Sequence, residues 1–145
     1  MSRPRPIDLL LAQYAHSHRH PTNELIHMVC VPAIVLSLLG ILWSVHPLAA
    51  VAACGAALAY YWKLSRPFAL GMLGMSLAML LLLALMPPMT VLPLSVAVFF
   101  LAWTGQFIGH KIEGRKPSFL DDVRFLLVGP LFVLGFLYRR LRLAY

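Results

Sequence analysis

Six histidines are the groups in this 145-residue chain best suited to chemistry near neutral pH, and five of them fall in two short polar stretches. Tyr14–His27 carries His16, His18, His20 and His27; Trp103–Asp122 carries His110, three residues before Glu113. On a helix, a separation of three puts the imidazole and the carboxylate on one face, near enough to share a ligand or a metal ion. His18 and His27 are nine apart with Pro21 between them, so one continuous helix does not align them. They converge if His18 closes one helix and His27 lies in the first turn of the next. Imidazole suits iron and zinc, and a mixed nitrogen–oxygen set with an open position is the pattern of non-haem Fe(II) oxygenases. Plainer roles stay open: the histidines as helix caps or headgroup contacts, and Glu113 as the ion-pair partner of Lys111, Arg115 or Lys116.

The remaining polar residues sort around these. His20, just before Pro21, is a candidate further metal ligand; His16 faces away from His18 on a helix, and His46 lies in a distant turn. Asn23 is either a helix cap or a hydrogen-bond partner of His27. Gln106 stands one turn before His110 on the same face, placed to orient a ligand, bind substrate or bond a neighbouring helix. Asp122, with Asp121, precedes an apolar run and can cap it, balance Arg124 or orient a site histidine. Lys111, Arg115 and Lys116 could draw in a carboxylate or phosphate, or simply form a basic girdle.

The elements that must position these groups are greasy. The chain is 61% hydrophobic, its mean hydropathy is +0.82 and only 12% of its residues are charged, against about 25% in an ordinary soluble domain. That points to a membrane protein rather than a water-facing one. The net charge of +7 sits in clusters beside apolar runs, so it reads as bilayer-flanking charge and not as a nucleic-acid surface. Cys30 and Cys54 fall inside apolar segments without a CxxC, as buried free thiols. The N-terminus lacks the long apolar run of a signal peptide.

Met1–Pro6 reads as a basic arm and Ile7–His16 as an interfacial amphipathic helix, with Ile7, Leu10, Leu11 and Tyr14 at helical spacing. Leu25–Val45, Leu48–Trp62, Phe68–Met86 and Val91–Gly109 are expected to cross the bilayer. Gly55, Gly71 and Gly74 suggest close helix approach. Phe125–Tyr138, short and interrupted by Gly129-Pro130, is expected to be a re-entrant or interfacial helix that covers the site. The fold expected is therefore all-α, a single domain over residues 1–145, with four spans plus that short C-terminal helix. Four crossings would return both polar stretches to one side. Arginine and lysine mark that side as cytoplasmic, because the turns at His46-Pro47 and Pro87–Thr90 carry neither.

Two motifs carry a family resemblance. Tyr14-x-x-x-His18-x-x-Pro21-Thr22-Asn23-x-x-x-His27, followed by Cys30-Val31-Pro32, resembles the opening motif of the Mpo1-like family. The stretch Gln106-Phe107-Ile108-Gly109-His110-Lys111-x-Glu113-Gly114-x-Lys116-Pro117-Ser118, then Asp122 and Leu126-Leu127-x-Gly129-Pro130, is similar to its second motif. The resemblance covers nearly the whole chain. It implies a small multi-span membrane enzyme, an Fe(II)-dependent dioxygenase that uses O2 to shorten 2-hydroxy fatty acids by one carbon. It implies His18, His27, His110 and Glu113 as the iron and catalytic site, with His20 the candidate for a fourth histidine. Short loops resemble bacterial members, which implies an inner-membrane location with the site on the cytoplasmic side, among membrane lipid. A zinc-dependent membrane lipid hydrolase and a non-catalytic membrane protein are the competing readings, and a homodimer stays open.

Overall fold

Prolines set where the helices begin. In the computed structural model, which describes residues 5–143, α1 (Pro6–His16), α2 (Pro21–Val45), α3 (Pro47–Leu64), α4 (Arg66–Leu85) and α5 (Pro88–Glu113) each carry proline at the first or second position. There its missing N–H is not needed and its fixed φ suits the helix. A 3-10 turn at Ser118–Leu120 leads to α6 (Phe125–Arg140). The described residues contain no strand, as expected of an all-α chain. The Met1–Pro4 part of the basic arm lies outside the described residues.

Three helices, α2, α4 and α5, are long and apolar enough to cross a membrane, not the expected four. The difference is α3. It has 18 residues, is rich in alanine, and ends in Tyr60-Tyr61-Trp62-Lys63, so its apolar content is diluted at both the small and the polar positions. α6, at 16 residues, is also not among the candidates. The parity argument therefore does not hold as stated. Direct pairing of α2 with α5, the most extensive helix contact, brings the polar stretches together instead. The outer faces are apolar: α4 exposes Leu70, Leu77, Leu81 and Leu85, and α5 exposes Phe100, Leu101, Phe107 and Ile108. Such surface suits hydrocarbon and not water.

Between lipid-soluble helices, association rests on close packing rather than on escape from water. At the α2–α5 seam, a Cβ on Gly105 would stand 2.7 Å from Cys30 Sγ, and one on Gly109 would collide with Asn23 Oδ1. Both glycines lie on the face of α5 turned toward α2. Of the three glycines expected at close contacts, Gly71 is one, against the Tyr138 hydroxyl, whereas a Cβ on Gly55 or Gly74 would meet nothing within 4 Å. Cys30 and Cys54 are free thiols, Cys54 buried.

α6 is a central helix at the site end of the bundle. Val128, Leu131 and Phe132 are buried against Ile7, Leu11 and Tyr14 of α1 and Phe68 and Met72 of α4. The Tyr61 hydroxyl donates to Leu127 O at 2.9 Å, tying the end of α3 to α6. α6 runs without a break through Gly129-Pro130, and α2 likewise runs through Pro32.

Candidate metal centre

His18, His27 and His110 are each buried, and their ligating nitrogens lie within 4.8 Å of one another. Each comes from a different piece of chain. α1 delivers His18: Tyr14, buried on the α1 face, stacks on the His18 ring with centroids 4.1 Å apart and planes 8° from parallel. Tyr14 in turn packs on Phe132 of α6. Pro21 opens α2, which places His27 two turns in, and α5 places His110 near its C-terminus. The α5 end is closed by Gly114 at φ +70°, with Arg115 N–H donating to His110 O and Gly114 N–H to Lys111 O. This left-handed glycine stop turns the chain back toward the site.

The hydrogen bonds fix how the rings face. His18 Nδ1 lies 2.7 Å from Tyr14 O, and His27 Nδ1 lies 2.9 Å from Asn23 O. A carbonyl only accepts, so Nδ1 of each ring carries the hydrogen and Nε2 of the neutral ring presents a lone pair. His27 Nε2 faces His110 Nε2 at 3.2 Å. His18 Nε2 and His110 Nδ1 are buried without a hydrogen-bond partner among the described residues. Lone pairs converging in a buried space, with backbone carbonyls holding the opposite nitrogens of His18 and His27, are the arrangement of imidazoles that hold a metal ion. The residues therefore fit such an ion. Burial also lowers the His18 pKa from its ordinary value, outweighing the opposing effects of the Tyr14 carbonyl and the Glu113 charge. The neutral, metal-binding form is thereby favoured.

Glu113 is placed beside the cluster and not within it. Its carboxylate accepts from Arg19 N–H at 3.0 Å, His20 N–H at 2.8 Å and Asn23 Nδ2 at 3.2 Å. It thus clamps the α1–α2 loop, which bears His18, onto α5. Asn23, fully buried, also donates to Ser17 O at 3.3 Å, so it ties loop and helix together from inside. The cap of α2 is not Asn23 but His20, whose Nδ1 accepts from Thr22 N–H. His20 is exposed and stands outside the cluster; His46 caps α3 in the same way, and His16 meets Arg115 at 2.7 Å.

Gln106 is buried one turn below His110 and interacts with the His27 ring. Lys116 pairs with Asp121 and Lys111 is exposed. Asp122 accepts from Arg124 N–H at 2.9 Å and pairs with its guanidinium, which holds the Asp122 carboxyl below the usual range. Its role in the structure is thus to shape the turn into α6.

Below the imidazoles runs an apolar cavity of about 280 Å³. Tyr14, His18, Gln106 and His110 stand at its polar end, Val31, Ile34, Val35 and Leu38 form one wall, and Phe99, Trp103 and Phe119 form another. Val31 to Leu38 spans about 10 Å along α2. Two polar atoms near this cavity were not anticipated: Trp103 Nε1 and Ser118 Oγ, both buried without a partner among the described residues. Trp103 was discoverable, since it shares a helical face with Gln106 and His110 at spacings of three and seven. Ser118 is separated from the cluster by the α5 turn, which spacing does not describe.

Comparison with protein families matches residues 5–141 to the family described as 2-hydroxy-palmitic acid dioxygenase Mpo1-like. The chain belongs to the Mpo1-like family. It is 32% identical over 133 residues to the 2-hydroxy-palmitic acid dioxygenase MPO1 of Saccharomyces cerevisiae, an alignment that covers 86% of this chain and 75% of the yeast protein. No solved structure matches it. All three clustered histidines lie inside the family-matched region.

Proposed function

We propose that this Mpo1-like protein is an iron-dependent dioxygenase that converts a 2-hydroxy fatty acid and O2 into the acid one carbon shorter. The observation that carries the reading is the buried His18–His27–His110 cluster at the polar end of an apolar cavity. The activity named for the family and for the yeast relative supports the substrate class. When bound, Fe(II) supplies the redox chemistry with O2 that breaks the bond between the first two carbons of the acid. The overall atoms balance as hydroxy acid plus O2 giving the shortened acid, carbon dioxide and water.

The chain's own residues hold and shield the reactants. Tyr14 O and Asn23 O keep His18 and His27 with Nε2 directed inward. Glu113 and Asn23 fix the loop that carries His18, so Glu113 acts through position. The aliphatic wall of Val31, Ile34, Val35 and Leu38 takes the acyl tail, and Leu38 and Leu126, both on the cavity lining and both exposed, open it sideways toward lipid. A tail that passes from bilayer to cavity exchanges one apolar environment for another at little desolvation cost. Basic residues near the site end, Lys111 and Arg115 among them, raise the local concentration of the anionic head. The same charge asymmetry supports a cytoplasmic orientation of this end, for a bacterial host on the inner face of the inner membrane.

The test is anaerobic reconstitution of metal-free protein in detergent with Fe(II) or Zn(II), followed by 2-hydroxypalmitate and O2. Iron alone should support O2 uptake matched to the shortened acid, and His110→Ala should lose both stoichiometric metal and turnover while keeping its helical circular dichroism. Zinc-dependent release of fatty acid from an ester- or amide-linked membrane lipid, with no O2 uptake, would move the reading to hydrolysis. Full activity in folded, metal-free protein would overturn it.

A further inference from the structure

Apart from the imidazoles and Gln106, the cavity is bordered by two hydrogen-bond donors that nothing among the described residues satisfies. Ser118 is 6% exposed, its Oγ has no partner among the described residues, and it lines the cavity. Trp103 lines the same cavity with its Nε1 buried and unpartnered, its ring edge-on to Phe119 at 5.1 Å. Buried polar atoms in folded proteins are nearly always paired, so two orphans on one cavity call for an explanation. The indole N–H only donates, so its partner must be an acceptor. A carboxylate is an acceptor with two oxygens and about four lone-pair sites.

We propose that Trp103 Nε1–H and Ser118 Oγ–H form a two-donor clamp for the carboxylate of the substrate. The proposal rests on the fatty-acid reading above and deepens it. A 2-hydroxy acid that turns its hydroxyl and one carboxylate oxygen toward His18 and His110 has its second carboxylate oxygen left over in an apolar cavity. The clamp receives that oxygen. The basic side chains nearby, such as Lys111 and Arg115, are exposed outside the cavity, so the interior recognition is by neutral donors. Hydrogen bonds to a charged acceptor are about twice as strong as neutral ones, so the clamp selects acids over uncharged analogues that bear the same tail. Ser118 and Phe125 also border a polar cleft with Gln13, His16, Ser17 and Asp121. A Ser118 hydroxyl turned into that cleft would contribute nothing to acid binding, which gives the proposal a definite way to fail.

The experiment is calorimetric titration of the full-length, iron-loaded protein in detergent under anaerobic conditions, so that binding is read without turnover. The probes are 2-hydroxypalmitate and 1,2-hexadecanediol, which share the tail and the hydroxyl but differ in the carboxylate. Wild type should prefer the acid. Ser118→Ala and Trp103→Phe, the latter keeping a ring against Phe119, should each weaken the acid by ~10- to 100-fold and the diol at most a few-fold. Equal losses for both probes would assign the residues to packing and overturn the clamp. Unchanged acid affinity in either variant, or a wild type that does not prefer the acid, would also overturn it. Preferential acid binding without O2-dependent turnover would leave the clamp standing and sink the dioxygenase reading.

Discussion

At the scale of single residues, the site depends on groups that need not touch substrate. Glu113 holds Arg19 N–H and His20 N–H, and through them the position of His18. Glu113→Ala should therefore lower metal affinity by ~10- to 100-fold, the usual effect of losing an outer partner of a ligand. Glu113→Gln, which keeps acceptor capacity, should fall between the two. Metal titration of apo protein checks this, and wild-type affinity in Glu113→Ala would refute the clamp role. His18 gives a pH dependence. Burial lowers its pKa from the ordinary 6.5, so the unfolded chain binds the proton more readily. Stability from this group is complete above 6.5 and is lost as pH falls below it toward the folded value. The thermal midpoint of the metal-free protein should decline on acidification through that window, and His18→Gln should flatten the decline.

At the scale of helices, the α2–α5 seam sets the distance between His27 and His110. Gly109 lets α5 approach Asn23, and a Cβ there overlaps the amide oxygen. Gly109→Ala should cost about 1–3 kcal/mol, as overpacking does, and should lower metal affinity together with the melting temperature. Gly114 closes α5 at φ +70°. Gly114→Ala leaves open space around the new methyl group but strains the backbone, so a loss of about 1–2 kcal/mol is expected from conformation alone. Thermal unfolding in detergent measures both changes, and only the first should move His27 relative to His110.

For the whole molecule, the arrangement is a bundle with apolar flanks and one polar end. His18, His27, His110 and Glu113 lie at that end, and the turns at His46 and Pro87 lie at the other. If the charge asymmetry orients the chain, Leu120→Cys at the site end should react with a membrane-impermeant thiol reagent only from the cytoplasmic side. Met89→Cys, at a residue 88% exposed in the opposite turn, should react only from outside. The reverse pattern would invert the assignment.

Much of this was legible in the sequence. Composition determined an apolar helical protein, because so few charges cannot cover a water-facing surface. Proline, glycine and hydropathy marked most helix ends, since those are local properties of the chain. The histidines announced a site through their type, and the motifs announced the family. Length and hydropathy misjudged α3, whose alanines and aromatic end fall short of a candidate span. Only the tertiary structure decided which nitrogens converge, that Glu113 clamps a loop, and that Trp103 and Ser118 border one cavity. Those facts join residues up to 94 positions apart, as in the bond from Arg19 to Glu113. Helical periodicity reaches only three or four residues along a chain, whereas these distances are set by how close the glycines of α5 let it come to α2.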